Sequence, residues 1–178
     1  MEKERFLPEE WNKGIISPIY KKGEKSEVRN YRDITLMDRT YKIYAGILNE
    51  KLKRAVDNKL QETQFGFRTR RGTMDAVYVL NYVINKELRK KGGKIFAFFA
   101  DLKAAFDKID RRKLNETMEK IKVEDHIRRR IMETYRETVN IVKIGDRKTE
   151  DFWTEKRVRQ GCPMSPHTVQ YIYCGFGK

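Results

Sequence analysis

The chain has 178 residues, about one domain's worth and long enough to bury a core. Lys and Arg number 40 against 26 Asp and Glu, a formal charge of +14 with a pI near 9.8, so the expected partner is a polyanion. Two cysteines, Cys162 and Cys174, make neither a metal quartet nor a disulfide framework and are expected reduced. No apolar run approaches the roughly 20 residues that span a bilayer, and the opening MEKERFLPEE has no apolar signal core, so a soluble, intracellular chain is expected.

In chain order, residues 1–13 read as a loose lead-in of mixed charge. Residues 14–22, GIISPIYKK, read as a strand that Pro18 restricts to an edge or a bulge. After the charged turn GEKSEVRN, residues 31–36 (YRDITL) alternate like a second strand, which makes a hairpin. Lys21, Lys22, Lys25, Arg29 and Arg32 cluster on it. Such a hairpin can fold over phosphates, with Lys as point charge and Arg as a forked donor. Residues 40–57 predict a helix with Ile43, Tyr44, Ile47, Leu48, Leu52 and Val56 as its apolar stripe. In QFGFRTRRGTMD (64–75), Arg68, Arg70 and Arg71 can track a phosphate backbone while Phe65 or Phe67 packs under a base or into the core. A second helix is predicted from Thr73 to about Lys90, with Val77, Leu80, Ile84 and Leu88 on one face and Gly92-Gly93 as its stop.

Residues 94–110, KIFAFFADLKAAFDKID, organise the rest. Six apolar residues in a row, 95–100, suit a central strand covered on both faces, which would deliver Asp101 to a site. A carboxylate there can hold a hard cation such as Mg²⁺, or it can simply cap a helix beginning near Leu102. Helices are predicted at 110–123, with Leu114, Met118 and Ile121 inward, and at 125–138, with Ile127, Ile131 and Tyr135 inward. Residues 139–144 and 151–158 read as a β-hairpin, RQGCPMSP (159–166) as a rigid loop, and the residues after it begin another helix.

Four segments coincide in order: the basic hairpin with RNYRDITL, QFGFR, FFADLKAAFDKID and RQGCPMSP. Together they resemble the fingers and first part of the palm of reverse transcriptases, specifically those of non-LTR (LINE-type) retrotransposons. The resemblance implies an α+β right-hand polymerase fold with an antiparallel palm sheet packed on helices. It divides the chain into a lead-in at 1–13, a fingers-like region at 14–93 and a partial palm at 94–178. It implies RNA-directed DNA polymerisation by two-metal catalysis with Mg²⁺ or Mn²⁺, on an RNA template and DNA primer with deoxynucleoside triphosphates, in nucleus and cytoplasm.

Residue by residue, the resemblance makes Asp101 the first metal-binding carboxylate, with Leu102 offering a backbone carbonyl. Phe106 becomes the bulky residue under the sugar that excludes a ribose 2′-hydroxyl. Arg32, helped by Lys22, would hold the triphosphate, and Gln160 and Gly161 would pack against the incoming nucleotide and template. Gly66, Phe67 and Arg68 match a segment near the template, with Arg70 and Arg71 beside it.

One departure stands out. The family's second acidic motif, an aromatic-x-Asp-Asp turn downstream of the QG loop, has no counterpart in this sequence, and Ser165-Pro166 is followed by HTVQYIYC where the family usually has Leu and Phe. A truncated element with crippled nucleotidyl transfer is therefore expected. The competing readings are a non-catalytic basic RNA- or DNA-binding module and, less consistent with QFGFR and RQGCPMSP, a phosphotransfer domain using Asp101 alone.

Overall fold

The alternating residues on either side of the charged loop form β1 (Lys13–Tyr20) and β2 (Tyr31–Leu36), paired antiparallel with Ile15 opposite Leu36 and Tyr20 opposite Tyr31. In this computed structural model residues 7–174 are described; residues 1–6 of the lead-in, residues 175–178 and the side chain of Cys174, whose thiol state was expected reduced, lie outside them. β1 also pairs parallel with β3 (Val139–Ile144), but only over Lys13 to Ile16. Pro18 falls beyond that overlap, where β1 has β2 alone beside it, so its missing N–H breaks no ladder. β1 is thus internal at its start and an edge at Pro18. The sheet is mixed rather than purely antiparallel. A short strand β4 (Arg147–Lys148) forms ahead of the expected second strand of the 139–158 hairpin, and that strand, expected at 151–158, shrinks to β5 (Phe152–Trp153); both are antiparallel to β3.

Helix α1 (Arg39–Val56) begins where Asp38 caps it, accepting from the backbone N–H groups of Thr40 at 2.7 Å and Tyr41 at 3.1 Å and from the Thr40 hydroxyl. Those bonds, the hydroxyl's first, hold the Asp38 carboxyl below its ordinary range. The buried stripe is Tyr41, Ala45, Leu48, Leu52 and Val56, whereas Ile43 and Ile47, expected inside, are exposed. Apolar residues occupy more of this helix than one partner surface covers. The Tyr41 side wins because Trp11, Cys162 and the Arg159 guanidinium all meet Tyr41 there.

Helices α3 (Arg111–Lys120), α4 (Asp125–Tyr135) and α5 (Ser165–Cys174) complete the core layer. Leu114, Met118, Ile127, Ile131 and Tyr135 are buried as their spacing predicts, joined by Ile109, Val123, Val158, Cys162, Met164, Val169 and Tyr171. The expected loose lead-in is ordered from Leu7. Leu7 is buried, residues 9–12 make a 3-10 turn, and Trp11 packs on Tyr41 and Tyr44 while donating to the Thr40 hydroxyl at 3.1 Å.

The largest correction concerns residues 95–100. They form no strand and pair with nothing in the sheet, and Phe96, Phe98 and Phe99 are exposed. A strand needs neighbouring N–H and C=O groups along its edge, and among the described residues none lines up beside this segment. The helix expected near Leu102 is a single tight turn, closed by the Asp107 and Lys108 amides on the Ala104 carbonyl at 3.1 Å each. Helix α2 (Thr73–Leu88) forms as predicted, capped by the Asp75 carboxylate on the Gly72 N–H at 2.7 Å, yet none of its residues is buried.

A candidate nucleotide and nucleic-acid interface

Three of the sequence motifs converge on β2. The Thr35 amide donates to the Gln160 carbonyl at 2.7 Å, which lays the RQG loop along the outer edge of the hairpin. Gly161 adopts φ +106 with the place of a Cβ only 3.0 Å from the Thr35 carbonyl oxygen, so both its backbone conformation and its closeness to the strand require glycine. Arg32 is exposed on the same strand, three residues or about 10 Å back. Lys22 is exposed in the hairpin turn, whose shape is set by the Asn30 side chain donating to the Glu24 carbonyl at 2.9 Å and the Tyr31 hydroxyl donating to the Lys25 carbonyl at 2.8 Å.

The motif around Phe106 reaches the same place through its backbone. The Val158 amide donates to the Phe106 carbonyl at 3.1 Å and the Arg157 amide to the Ile109 carbonyl at 2.8 Å. Phe106 itself is half-buried against the core. Arg32, Phe106, Gln160 and Gly161 therefore belong to one region, held by hydrogen bonds between residues more than 40 positions apart.

Two arginines that the charge count would have assigned to a polyanion hold this region from within. Arg111, 9% exposed, donates to the Arg157 carbonyl at 3.1 Å, the Tyr135 carbonyl at 2.6 Å and the Thr138 hydroxyl at 2.8 Å. Burial lowers its guanidinium to about 10, which still leaves it charged near neutrality. Arg159, 2% exposed, donates to the carbonyls of Trp11 at 2.9 Å and Asn12 at 2.6 Å and lies over the Tyr41 ring. A third, Arg157, sits in the left-handed region at φ 72 and pairs with Asp33 on β2. Partial burial, then the nearby Asp33 charge, raises the Asp107 carboxyl, while Arg157 and Lys21 pull it back. Asp33, Asp107 and Arg157 went unnoticed in the sequence because nothing local marks residues that far apart as neighbours.

Asp101 and Leu102 are exposed and belong to no helix or strand. Among the described residues no three His, Cys, Asp or Glu side chains converge as a metal centre would require. A lone exposed carboxylate does not fit a two-metal site, which needs anionic ligands around each ion.

The QFGFR segment makes a second region. Arg68 is nearly buried, its donors on the Asp57 carboxylate at 3.2 Å and the carbonyls of Gln61 at 3.0 Å and Asp57 at 3.2 Å, while Arg71 binds Glu62 and lies over the Phe65 ring. These two shape the loop instead of facing outward, and Arg70 is the exposed member of the trio. Helix α5 grips the loop from the other side. The His167 Nε2–H donates to the Phe67 carbonyl at 2.9 Å and the Gln170 amide to the Gly66 carbonyl at 3.0 Å. His167 thereby acquires a structural use.

Burial, then the Lys53 charge, lowers the His167 imidazole, with the Phe67 carbonyl and Glu50 opposing. Its Nδ1 is buried without a partner, so a second proton there would have no acceptor. The unfolded chain takes up this proton near pH 6.5 and the fold only at lower pH. Stability is expected to be highest above about pH 6.5 and to decline as the pH falls from there through the lowered folded value. Urea midpoints measured between pH 7.5 and 5.5 should fall less in His167→Gln, whose amide can still donate but does not titrate; equal slopes would remove His167 as the source.

A basic mixed α/β chain that sets a QG loop against a charged hairpin has the makings of a protein that handles nucleic acid. Comparison with known proteins defines the class: the model of the family described as reverse transcriptase (RNA-dependent DNA polymerase) matches residues 19–175, and the chain belongs to that family. It is similar to the Transposon TX1 uncharacterized 149 kDa protein of Xenopus laevis, 26% identical over 160 residues, covering 89% of this chain and 12% of that protein. It is 28% identical over 110 residues to the probable RNA-directed DNA polymerase from transposon X-element of Drosophila melanogaster, covering 59% and 12%. It is 21% identical over 162 residues to the retrovirus-related Pol polyprotein from type-1 retrotransposable element R2 of Popillia japonica, covering 90% and 22%. The resemblance to the non-LTR retrotransposon enzymes read from the four motifs is borne out. The chain spans only about an eighth to a fifth of these relatives' lengths.

Proposed function

We propose that this chain is the fingers and first palm portion of an RNA-directed DNA polymerase, which grips a deoxynucleoside triphosphate and an RNA template with its DNA primer but does not transfer nucleotides by itself. The observation that carries the reading is the seating of Gln160 and Gly161 on the edge of β2, the strand that carries Arg32 about 10 Å further along. A glycine backbone against a strand, with an exposed guanidinium on that strand and Lys22 at the hairpin turn, offers a flat wall for a base and forked donors for a triphosphate. Phe106 is the sugar-side neighbour, and Gly66, Phe67 and Arg70 face the template.

The family's divalent ion, Mg²⁺ or Mn²⁺, supplies charge neutralisation at the transferring phosphate when bound. Asp101 alone does not assemble its site in this chain, which supports a binding function without turnover.

Primer extension on an RNA template with deoxynucleotides and Mg²⁺ tests this, beside Asp101→Asn. The expected result is no extension by either chain, with RNA binding that weakens steeply with salt in both. Extension that disappears in Asp101→Asn would show a working metal site and overturn the inactive reading. RNA binding with no deoxynucleotide binding at all would favour a purely polynucleotide-binding module.

A further inference from the structure

Arg157 stands at a position whose backbone calls for glycine. Its φ is 72, in the left-handed region that a long side chain enters only under strain, and the same loop places Gly161 where its other positive φ falls. An arginine held there has a side chain in use. Its guanidinium pairs with the Asp33 carboxylate on β2, its amide donates to the Ile109 carbonyl at 2.8 Å, and its carbonyl accepts from Arg111 at 3.1 Å. One residue on, the Val158 amide donates to the Phe106 carbonyl at 3.1 Å. Arg157 therefore ties β2, residues 106–109 and the start of α3 together just ahead of the QG loop.

The guanidinium has more donors than this pairing uses. The Arg157 side chain is 18% exposed, and its Nη2 is buried with no hydrogen-bond partner among the described residues. A buried donor left over is costly, so one in a native fold has a use. Asp107 follows Phe106 directly, is partly buried, and lies within electrostatic reach of Arg157 and Asp33. The other cation near it, Lys21, is a point charge and not a fork.

We infer that Arg157 is a positioning residue which, by bridging Asp33 to Asp107, fixes the turn carrying Phe106 against β2 and so sets how closely the Phe106 ring stands to the sugar of a bound nucleotide. The inference rests on the nucleotide-binding reading above and adds to it the group that holds the sugar-side wall. Phe106 needs such a hold because residues 93–110 form no helix or strand that would fix the ring. Without the bridge the turn hangs on backbone bonds alone, and a small shift of the ring makes room for a 2′-hydroxyl. Arg32 and Lys22 keep their grip on the phosphates, so the loss falls on the choice of sugar.

The test compares Arg157→Gly, Arg157→Lys and Asp33→Asn with the unaltered chain in three readouts: the urea midpoint, the affinities for dGTP and GTP with Mg²⁺, and hydrogen exchange at the Val158 amide. In Arg157→Gly the relieved backbone offsets the lost ion pair, so the midpoint should change little. The preference for dGTP over GTP should nevertheless fall about tenfold, and the Val158 amide should exchange faster. Arg157→Lys keeps a charge but not the fork and should retain part of the preference. Asp33→Asn should also lower it, and the double variant with Arg157→Gly should lose no more than Arg157→Gly alone, as for two members of one bridge. A preference kept in Arg157→Gly, or lost only with a matching fall in the midpoint, would overturn the inference and leave the nucleotide-binding reading standing. Absence of dGTP binding by the unaltered chain would remove both.

Discussion

Replacing Arg159 by alanine is expected to lower the folding stability by about 3–5 kcal/mol, the sum of two charge-assisted hydrogen bonds lost from a buried setting. The guanidinium is the donor for the Trp11 and Asn12 carbonyls, and it is covered by the Tyr41 ring. Truncation leaves those carbonyls facing an apolar gap. A domain of ordinary stability has only about 5–15 kcal/mol to lose, so a large part of the population would unfold at moderate denaturant. The same bonds tie the residues before β1 to the start of the QG loop, so the loop should loosen first. Urea unfolding measures the total, and hydrogen exchange at Thr35, whose amide is bound to Gln160, reports the loop. A change under about 1 kcal/mol would mean that water replaces the guanidinium at little cost, at the low end of a single hydrogen bond's worth. Arg159→Lys should recover part of the loss, because an ammonium cannot span both carbonyls as a fork does.

Gly161→Ala has the second largest expected effect, and it falls on binding more than on folding. At φ +106 an L-residue is strained by about 1–3 kcal/mol, and its methyl group would stand 3.0 Å from the Thr35 carbonyl oxygen. The oxygen belongs to a strand paired along its length with β1, so it cannot move aside cheaply. The loop must lift from β2 instead, breaking the bond between Thr35 and Gln160 and separating Arg32 from the glycine surface. Deoxynucleotide affinity should fall at least tenfold while the salt dependence of RNA binding, carried by residues elsewhere, stays the same. Nucleotide binding that survives in Gly161→Ala would show that the seated loop is not the nucleotide wall.

The exposed phenylalanines of 95–100 show how far periodicity can mislead. Six apolar residues in succession describe what a segment needs around it, a neighbour on each side and a layer on each face, without showing that the neighbours are present. The same limit applies to α1, whose register with the core turned on Tyr41 meeting Trp11, Cys162 and Arg159, a coincidence of residues 30 to more than 100 positions apart. Local signals did better. Asp38 before α1 and Asp110 before α3 cap their helices through N–H groups two and three residues on; the Asp38 carboxyl is held low by the Thr40 hydroxyl first and then by such bonds, the Asp110 carboxyl by the N–H bonds themselves.

What the sequence determined by itself is whatever depends on a few consecutive residues: the five helices and the aspartate caps of α1, α2 and α3, the hairpin around its charged turn, the buried 3.6-residue stripes of α3 and α4, the net positive charge, and the four motifs that place the chain among reverse transcriptases. Tertiary structure alone decided which cations face solvent and which are fastened inside. Arg68, Arg111 and Arg159 look no different in the sequence from Arg32, Arg54 and Arg70. Their fates diverge because a guanidinium stays buried only where several carbonyls, carboxylates or rings converge to replace its water, and that convergence is created when distant segments pack.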